Sequence, residues 1–258
     1  MKSLLLPRWG AILQYHDIAG VGRPLIFVHG LGCASSSDYP GIAGHERLAQ
    51  RRRILIDFLG SGFSDRPADF SYTMDAHAET VLSLLAALDI AQADVVGHSM
   101  GGAVAIVMAN KRPDLIAGLV LSEPNLDPGG GYFSRRIAEQ TEVMYVATGH
   151  DRLIHEAREG GNETWADTMA MSSPVAVYRA ARSLVEGAEP SWRQLLETLT
   201  APRTVLFGEY SLPDPDTERL PNYGIHVAIV PRAGHSMMWE NPSGVANAIA
   251  EAMSLMEV

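Results

Sequence analysis

The stretch Gly97-His98-Ser99-Met100-Gly101 decides the fold, because of the residues on either side of it. The short apolar run Asp94-Val95-Val96 precedes it, and residues 102–110 (GAVAIVMAN) follow it with the composition of a buried helix. A serine on a sharp turn between a strand and a helix is held in a strained conformation with its hydroxyl exposed, as a nucleophile requires. The pattern therefore predicts that Ser99 is a catalytic nucleophile, the alternative being a tight structural turn.

Other short apolar runs along the chain end in glycine, histidine, proline, serine or an acid, and helical patterns separate them. They cover residues 25–28, 54–56, 95–96, 119–121, 204–207 and 227–230. Runs without alternation are typical of strands buried on both faces, as in a parallel sheet. Helices are predicted over 74–88, 102–111 and 242–256. The sequence thus predicts an α/β fold with a mostly parallel, doubly wound sheet, whose ligands bind at the carboxyl ends of the strands.

Residues 125–190 break this alternation, because they contain helical pieces and no strand-like run. A crossover between parallel strands needs only about a dozen residues. We therefore predict a helical lid over 125–190, rather than an ordinary pair of crossover helices, on a core formed by 1–124 and 191–258. The lid aromatics Tyr132, Phe133 and Trp165, together with Trp239, are candidates for an apolar substrate pocket.

Composition excludes several classes of function. The net charge of -10, from 20 Lys and Arg against 30 Asp and Glu, argues against a nucleic-acid partner or an anionic membrane surface. No apolar run approaches the ~18 residues of a membrane span, and the first apolar run is too short for a signal peptide. The single cysteine, Cys33, fits a reducing cytoplasm. No metal-ligand spacing or phosphate-binding loop is present, so we expect no metal and no cofactor.

Four blocks follow one another between residues 25 and 242. They are His29-Gly30-Leu31-Gly32, residues 57–67 (DFLGSGFSDRP), the serine turn, and residues 234–242 (GHSMMWENP). In this order they resemble the α/β-hydrolase superfamily, in its lid-bearing, esterase-like branch. The resemblance implies the fold of that family, and it implies that the last block is the family's histidine loop.

A neutral serine needs a base within hydrogen-bond reach, and His235 is the candidate among nine histidines. It follows the last strand and precedes the last helix, which fits the family order of serine, acid and histidine. The usual position of the acid, three residues after Gly208, holds Ser211.

Two replacements for the missing acid remain open. Glu123 lies at the end of the preceding strand, and Asp214 lies in the proline-rich loop 209–216, which also contains Glu209 and Asp216. A rigid strand end holds a carboxylate better than a loop does, which favours Glu123. Its role would be to fix the histidine tautomer and stabilise the imidazolium.

Acyl transfer also needs donors for the oxyanion, and the backbone N–H groups of Leu31 and Met100 are the candidates. The sequence thus predicts a cofactor-free serine hydrolase acting on an apolar small-molecule ester or lactone. One alternative is a carbon–carbon bond hydrolase of the same fold, although such enzymes usually keep the acid that Ser211 replaces. The other is a non-catalytic receptor that holds a small ligand beneath the lid.

Overall fold

A computed structural model describes residues 1–256, so the last two positions of the predicted segment 191–258 lie outside it. Within the described residues, eight strands form one sheet. They are β1 (Lys2–Leu6), β2 (Ala11–Ile18), β3 (Val21–Val28), β4 (Arg51–Asp57), β5 (Ala93–His98), β6 (Ile116–Ser122), β7 (Arg203–Gly208) and β8 (His226–Val230). Their order in the sheet is β1-β2-β4-β3-β5-β6-β7-β8.

Strands β3 to β8 are parallel, and each predicted apolar run falls in one of them. Neighbouring residues of β3 face opposite sides: Ile26 and Val28 belong to one hydrophobic core, and Leu25 and Phe27 to the other. This burial on both faces is the reason that the runs show no alternation. The predicted mostly parallel, doubly wound sheet is confirmed.

The N-terminal hairpin of β1 and β2 was not predicted. Strand β2 is antiparallel to both of its neighbours. Along it Ala11, Leu13 and Tyr15 are buried, whereas Ile12 between them is 37% exposed. This alternation is typical of a strand that buries only one face, so a rule based on continuous apolar runs does not detect it.

Helices cover both faces of the sheet. The helices of the core are α1 (Ser35–Asp38), α2 (Pro40–Ala43), α3 (Met74–Ala87) and α4 (Met100–Lys111) in its first half. The segment predicted as a lid contains α5 (Tyr132–Ala138), α6 (Glu142–Met144), a π-helical turn (Tyr145–Gly149), α7 (His150–Glu159), α8 (Glu163–Ala170) and α9 (Pro174–Glu186). The second half of the core adds α10 (Trp192–Thr198), α11 (Asp216–Arg219), α12 (Met237–Glu240) and α13 (Pro242–Met256). None of the helices in residues 1–256 is long and apolar enough to span a membrane.

The segment predicted as a lid forms a hydrophobic cluster of its own. No strand lies between Ser122 and Arg203 in the described part of the chain. Buried residues of this segment, among them Tyr145, Leu153, Trp165 and Met169, pack together and against Cys33. The third cluster therefore sits over the loop that follows β3, at the carboxyl end of that strand.

Buried histidines make the fold sensitive to acid. Burial lowers the pKa of His77 to about 3 and that of His98 to about 3, both from 6.5. Between pH 6.5 and 3 these two histidines therefore bind more protons in the unfolded chain than in the folded chain, and the stability that they contribute falls as the pH drops through this range. We expect a lower urea midpoint at pH 5 than at pH 7.5. His77 lies among Phe58, Phe70 and Tyr72, so His77→Phe should reduce the difference between the two midpoints. A His77→Phe variant with the wild-type difference would contradict the account.

Candidate active site

Ser99 occupies a strained turn between β5 and α4. Its φ of 50° and ψ of -113° are unusual for a residue with a side chain, and such strain costs about 1–3 kcal/mol. The neighbouring glycines make the turn possible. A Cβ on Gly101 would lie 2.4 Å from Val28 O, and one on Gly97 would lie 2.6 Å from Gly101 O. Because both obstacles are backbone atoms, larger residues at these positions would displace the turn itself.

Glu123 and His235 form a hydrogen-bonded pair. His235 Nδ1 donates to Glu123 Oε2 at 2.7 Å, and Gly208 N–H donates to Glu123 Oε1 at 2.9 Å. The Glu123 side chain is 13% exposed and that of His235 is 55% exposed. Glu123 also has a positive φ of 39°, immediately after β6. Both carboxylate oxygens are therefore occupied, and the imidazole keeps Nε2 free of this pair.

The protonation state of Glu123 follows from its partners. Burial by itself would raise the pKa of the carboxyl, but hydrogen bonds from His235, Gly208 and Ser211 outweigh it and lower the pKa to about 2. Ser211 occupies the position where the family usually has its acid, and here its hydroxyl supports the carboxylate that comes from the other strand. Glu123 is thus ionised at neutral pH.

The hydroxyl of Ser99 has a partner that the sequence did not suggest. Ser99 Oγ donates to Asn125 Oδ1 at 3.3 Å, a long and hence weak hydrogen bond. No hydrogen bond joins Ser99 to His235 among the described residues, although both side chains line the same cavity. The Asn125 backbone N–H also donates to Ser99 O at 3.2 Å. The chain just after Glu123 therefore wraps around the serine.

The two predicted oxyanion donors are free to bind a ligand. Within residues 1–256, the backbone N–H groups of Leu31 and Met100 have no hydrogen-bond acceptor. Met100 is the first residue of α4, and the first N–H groups of a helix have no acceptor within the helix. Leu31 follows β3 and lines the cavity. Unsatisfied N–H groups beside a nucleophile suit an oxyanion.

Two further histidines support the site through hydrogen bonds to backbone groups. His29 Nδ1 donates to Gly30 O at 2.8 Å, and its Nε2 accepts from Phe58 N–H at 3.1 Å, so this ring connects the loop after β3 to the residue that follows β4. The His98 ring lines the cavity and lies 4.7 Å from the His235 ring, and its Nε2 donates to His235 O at 2.9 Å. His98 therefore holds the backbone of the histidine loop.

The cavity above Ser99 encloses about 380 Å³. The four predicted pocket aromatics, Tyr132, Phe133, Trp165 and Trp239, all line it. Phe133 and Trp165 form one wall, with ring centroids 4.4 Å apart. Polar groups come from Asn125, Asn162, Ser134 and Ser236, and none of the described residues that line the cavity is Lys or Arg. Apart from the Glu123–His235 pair, the site therefore offers apolar surface and neutral hydrogen-bonding groups.

Asp214, the alternative acid, lies elsewhere. Its carboxylate accepts a hydrogen bond from Asp216 N–H at 2.8 Å, and it lines an outer groove with Asp127 and Arg193. Asp216 pairs with Arg193, and Glu209 accepts from Arg232 N–H. These three acids are therefore engaged away from His235.

Two residues near the site were not predicted. Asn125 could have been suspected because it lies two positions after a candidate acid. Asp38 is buried beside Cys33 and Trp239, and burial raises the pKa of its carboxyl to about 8. Asp38 gave no signal in the sequence, since a polar run such as Ser35-Ser36-Ser37-Asp38 is typical of an exposed loop. It lies behind the cavity wall as a predominantly protonated acid.

Comparison with known proteins assigns the chain to a family. A family model described as alpha/beta hydrolase fold matches residues 23–242. A 2-hydroxymuconate semialdehyde hydrolase from Pseudomonas putida is 42% identical over 107 residues, which are 41% of this chain and 37% of that protein. The match to a protein of the same description from Pseudomonas sp. (strain CF600) likewise spans only 40% of its length, at 39% identity.

Solved structures share the fold along the whole chain. A thermophilic esterase from Thermogutta terrifontis is 24% identical with a TM-score of 0.82, and the match covers 100% of both chains. An N-acyl homoserine lactonase, solved with N-hexanoyl homoserine lactone, is 19% identical with a TM-score of 0.77 and covers 99% of this chain and 97% of its own. At these identities the likeness concerns the fold alone.

Proposed function

Because the chain belongs to the α/β-hydrolase family, we propose that it is a serine hydrolase that cleaves a carboxylic ester or lactone through an acyl-enzyme on Ser99. The observation that carries the proposal is the ionised Glu123 bound to His235 Nδ1 at 2.7 Å. That bond leaves the imidazole Nε2 as a proton acceptor, in the cavity that also holds the strained serine.

In the first half of the reaction, the Ser99 hydroxyl turns from Asn125 towards His235 and attacks the substrate carbonyl. Nε2 of His235 takes the hydroxyl proton, and the carbonyl oxygen becomes an oxyanion held by the N–H groups of Leu31 and Met100. The tetrahedral intermediate collapses, the C–O bond to the alcohol breaks, and His235 gives its proton to the departing alkoxide. An ester loses an alcohol, whereas a lactone ring opens and keeps its hydroxyl on the acyl group.

In the second half, water attacks the acyl-enzyme. His235 takes a proton from the water, the same two N–H groups hold the second oxyanion, and Ser99 leaves with the proton that His235 returns. Glu123 remains ionised and stabilises the imidazolium in both halves. Each step uses only groups present in the chain and the water consumed.

A carbon–carbon bond hydrolase is the second candidate, and the 42% identity over 107 residues to the Pseudomonas putida protein favours it. The substrate in that protein's description is, by its chemical name, a carboxylic acid. The cavity here has no Lys or Arg among its described lining residues, and its carboxylate Glu123 would repel an anion. Burying an unpaired carboxylate costs about 3 kcal/mol or more. We therefore rank neutral esters and lactones first.

A matched pair of substrates tests this ranking. The p-nitrophenyl monoester of a short dicarboxylic acid and its methyl-capped form differ only in one negative charge. We expect kcat/KM for the capped, neutral form to be higher by roughly 100-fold, which corresponds to the cost of the unpaired charge. N-acyl homoserine lactones and p-nitrophenyl esters of increasing chain length complete the set. Faster turnover of 2-hydroxymuconate semialdehyde than of any neutral ester or lactone would contradict the proposal.

A further inference from the structure

The segment Gly30-Leu31-Gly32-Cys33, here named the oxyanion turn, has a defined conformation. Cys33 N–H donates to Gly30 O at 3.2 Å, and Gly32 has a φ of 68°. A first-to-fourth hydrogen bond with a left-handed third residue is the pattern of a type II turn. The central peptide, between Leu31 and Gly32, has the opposite orientation in a type I turn, so rotation of this one peptide converts one turn into the other.

The lid contacts this central peptide directly. Trp165 Nε1–H of α8 donates to Leu31 O at 2.9 Å. A Cβ on Gly32 would lie 2.0 Å from Met169 Sδ and 3.3 Å from Trp165 Nε1, so α8 packs on the turn without room for a side chain. Trp165 is 6% exposed and Met169 is fully buried. If the peptide rotated, the indole N–H and Leu31 O would both lose their partner in a partly buried place, which is unfavourable.

We propose that Trp165 is a positioning residue for the oxyanion hole: its hydrogen bond to Leu31 O holds the oxyanion turn in the conformation that leaves Leu31 N–H free for the substrate. The inference rests on the proposed function, because Leu31 N–H matters to catalysis only if an oxyanion forms there. It assigns the lid a second role. Helix α8, which supplies an apolar wall of the cavity, thereby also positions a hydrogen-bond donor for the transition-state oxyanion. Packing of the lid on the oxyanion turn therefore completes the oxyanion hole.

The indole N–H distinguishes a positioning role for Trp165 from a role as apolar pocket wall alone. Phe133 stacks on the same ring and contributes only apolar surface. Trp165→Phe keeps an aromatic wall and removes the N–H donor. Replacement of Trp165 by 3-benzothienylalanine keeps the shape of the bicyclic ring and removes the donor alone. The matched control is Trp192→Phe, which makes the same change at a buried tryptophan of α10 that lies outside the cavity.

The test measures ester hydrolysis together with the affinity of an alkylboronic acid, whose adduct on serine is tetrahedral like the intermediate. Loss of an oxyanion donor lowers kcat by about 10²–10³. For misorientation of one donor we expect both Trp165 variants to lose roughly tenfold or more in kcat, with KM changed less than threefold. Boronic acid affinity should fall by a similar factor, while Trp192→Phe should match the wild type in both measurements.

The outcomes distinguish this inference from the function on which it rests. A wild type that neither hydrolyses esters nor reacts with a serine-directed phosphonate overturns the proposed function and the inference with it. An active wild type whose two Trp165 variants keep wild-type kcat and boronic acid affinity overturns the inference alone. If Trp165→Phe fails to fold, as measured by its thermal midpoint, the benzothienylalanine variant decides the matter. A rise in KM with kcat unchanged would assign Trp165 to the pocket wall only and refute the positioning role.

Discussion

Glu123→Gln is expected to lower kcat for ester hydrolysis by about 10³–10⁴, with KM changed only a few-fold. The glutamine has nearly the shape of the glutamate, so the contact with His235 can form with either tautomer of the ring. The neutral amide cannot stabilise the imidazolium that both halves of the reaction require. Because hydrogen bonds hold the pKa of Glu123 at about 2, the wild-type carboxylate supplies its charge throughout the neutral pH range.

Asp214→Asn is the matched control for this prediction. Asp214 has its own partner, Asp216 N–H, in the outer groove. We expect its kcat to stay within about twofold of the wild type, since surface substitutions of this kind rarely exceed ±0.5 kcal/mol. Steady-state kinetics on one p-nitrophenyl ester, with thermal midpoints to show that both variants fold, is sufficient. If Asp214→Asn were inactive and Glu123→Gln active, the acid would come from the loop.

Most of the fold could be predicted from the sequence, because the parallel strands and their flanking glycines leave a local pattern. Gly97 and Gly101 mark the turn at Ser99, since only glycine fits where a Cβ would meet backbone atoms 2.4 and 2.6 Å away. The hairpin of β1 and β2 was missed because its one-sided burial produces alternation, as at Ile12 between buried neighbours.

The chain positions of the candidate triad could also be predicted, but its contacts could not. Ser99, Glu123 and His235 each follow a strand, and the carboxyl ends of parallel strands lie at one edge of the sheet. Where a side chain points depends on tertiary packing. The bond of Trp165 to Leu31 O joins residues 134 positions apart, and that of His98 to His235 O joins residues 137 apart. No local pattern in the sequence encodes such pairs.

Ser211 and Asn125 show how the site departs from what position alone suggests. In the loop after β7, Ser211 stands at the position where an acid is expected. The hydroxyl of that serine helps to lower the pKa of Glu123. Asn125, two positions after Glu123 in the chain, accepts a hydrogen bond from the Ser99 hydroxyl at 3.3 Å. The candidate acid Glu123 and the partner of the Ser99 hydroxyl, Asn125, therefore lie on one short segment beside Ser99.

The central claim is that His235 makes Ser99 a nucleophile, and the most direct measurement is covalent labelling with a fluorophosphonate followed by intact-mass analysis and peptide mapping. Attack by Ser99 Oγ on phosphorus expels fluoride and leaves one stable adduct. We predict one adduct per chain on Ser99, none on Ser99→Ala, and labelling slower by at least about 10³-fold on His235→Ala. Folded wild-type protein that remains unlabelled, or is labelled at another residue, would contradict the account and would favour a receptor that binds a ligand under its lid.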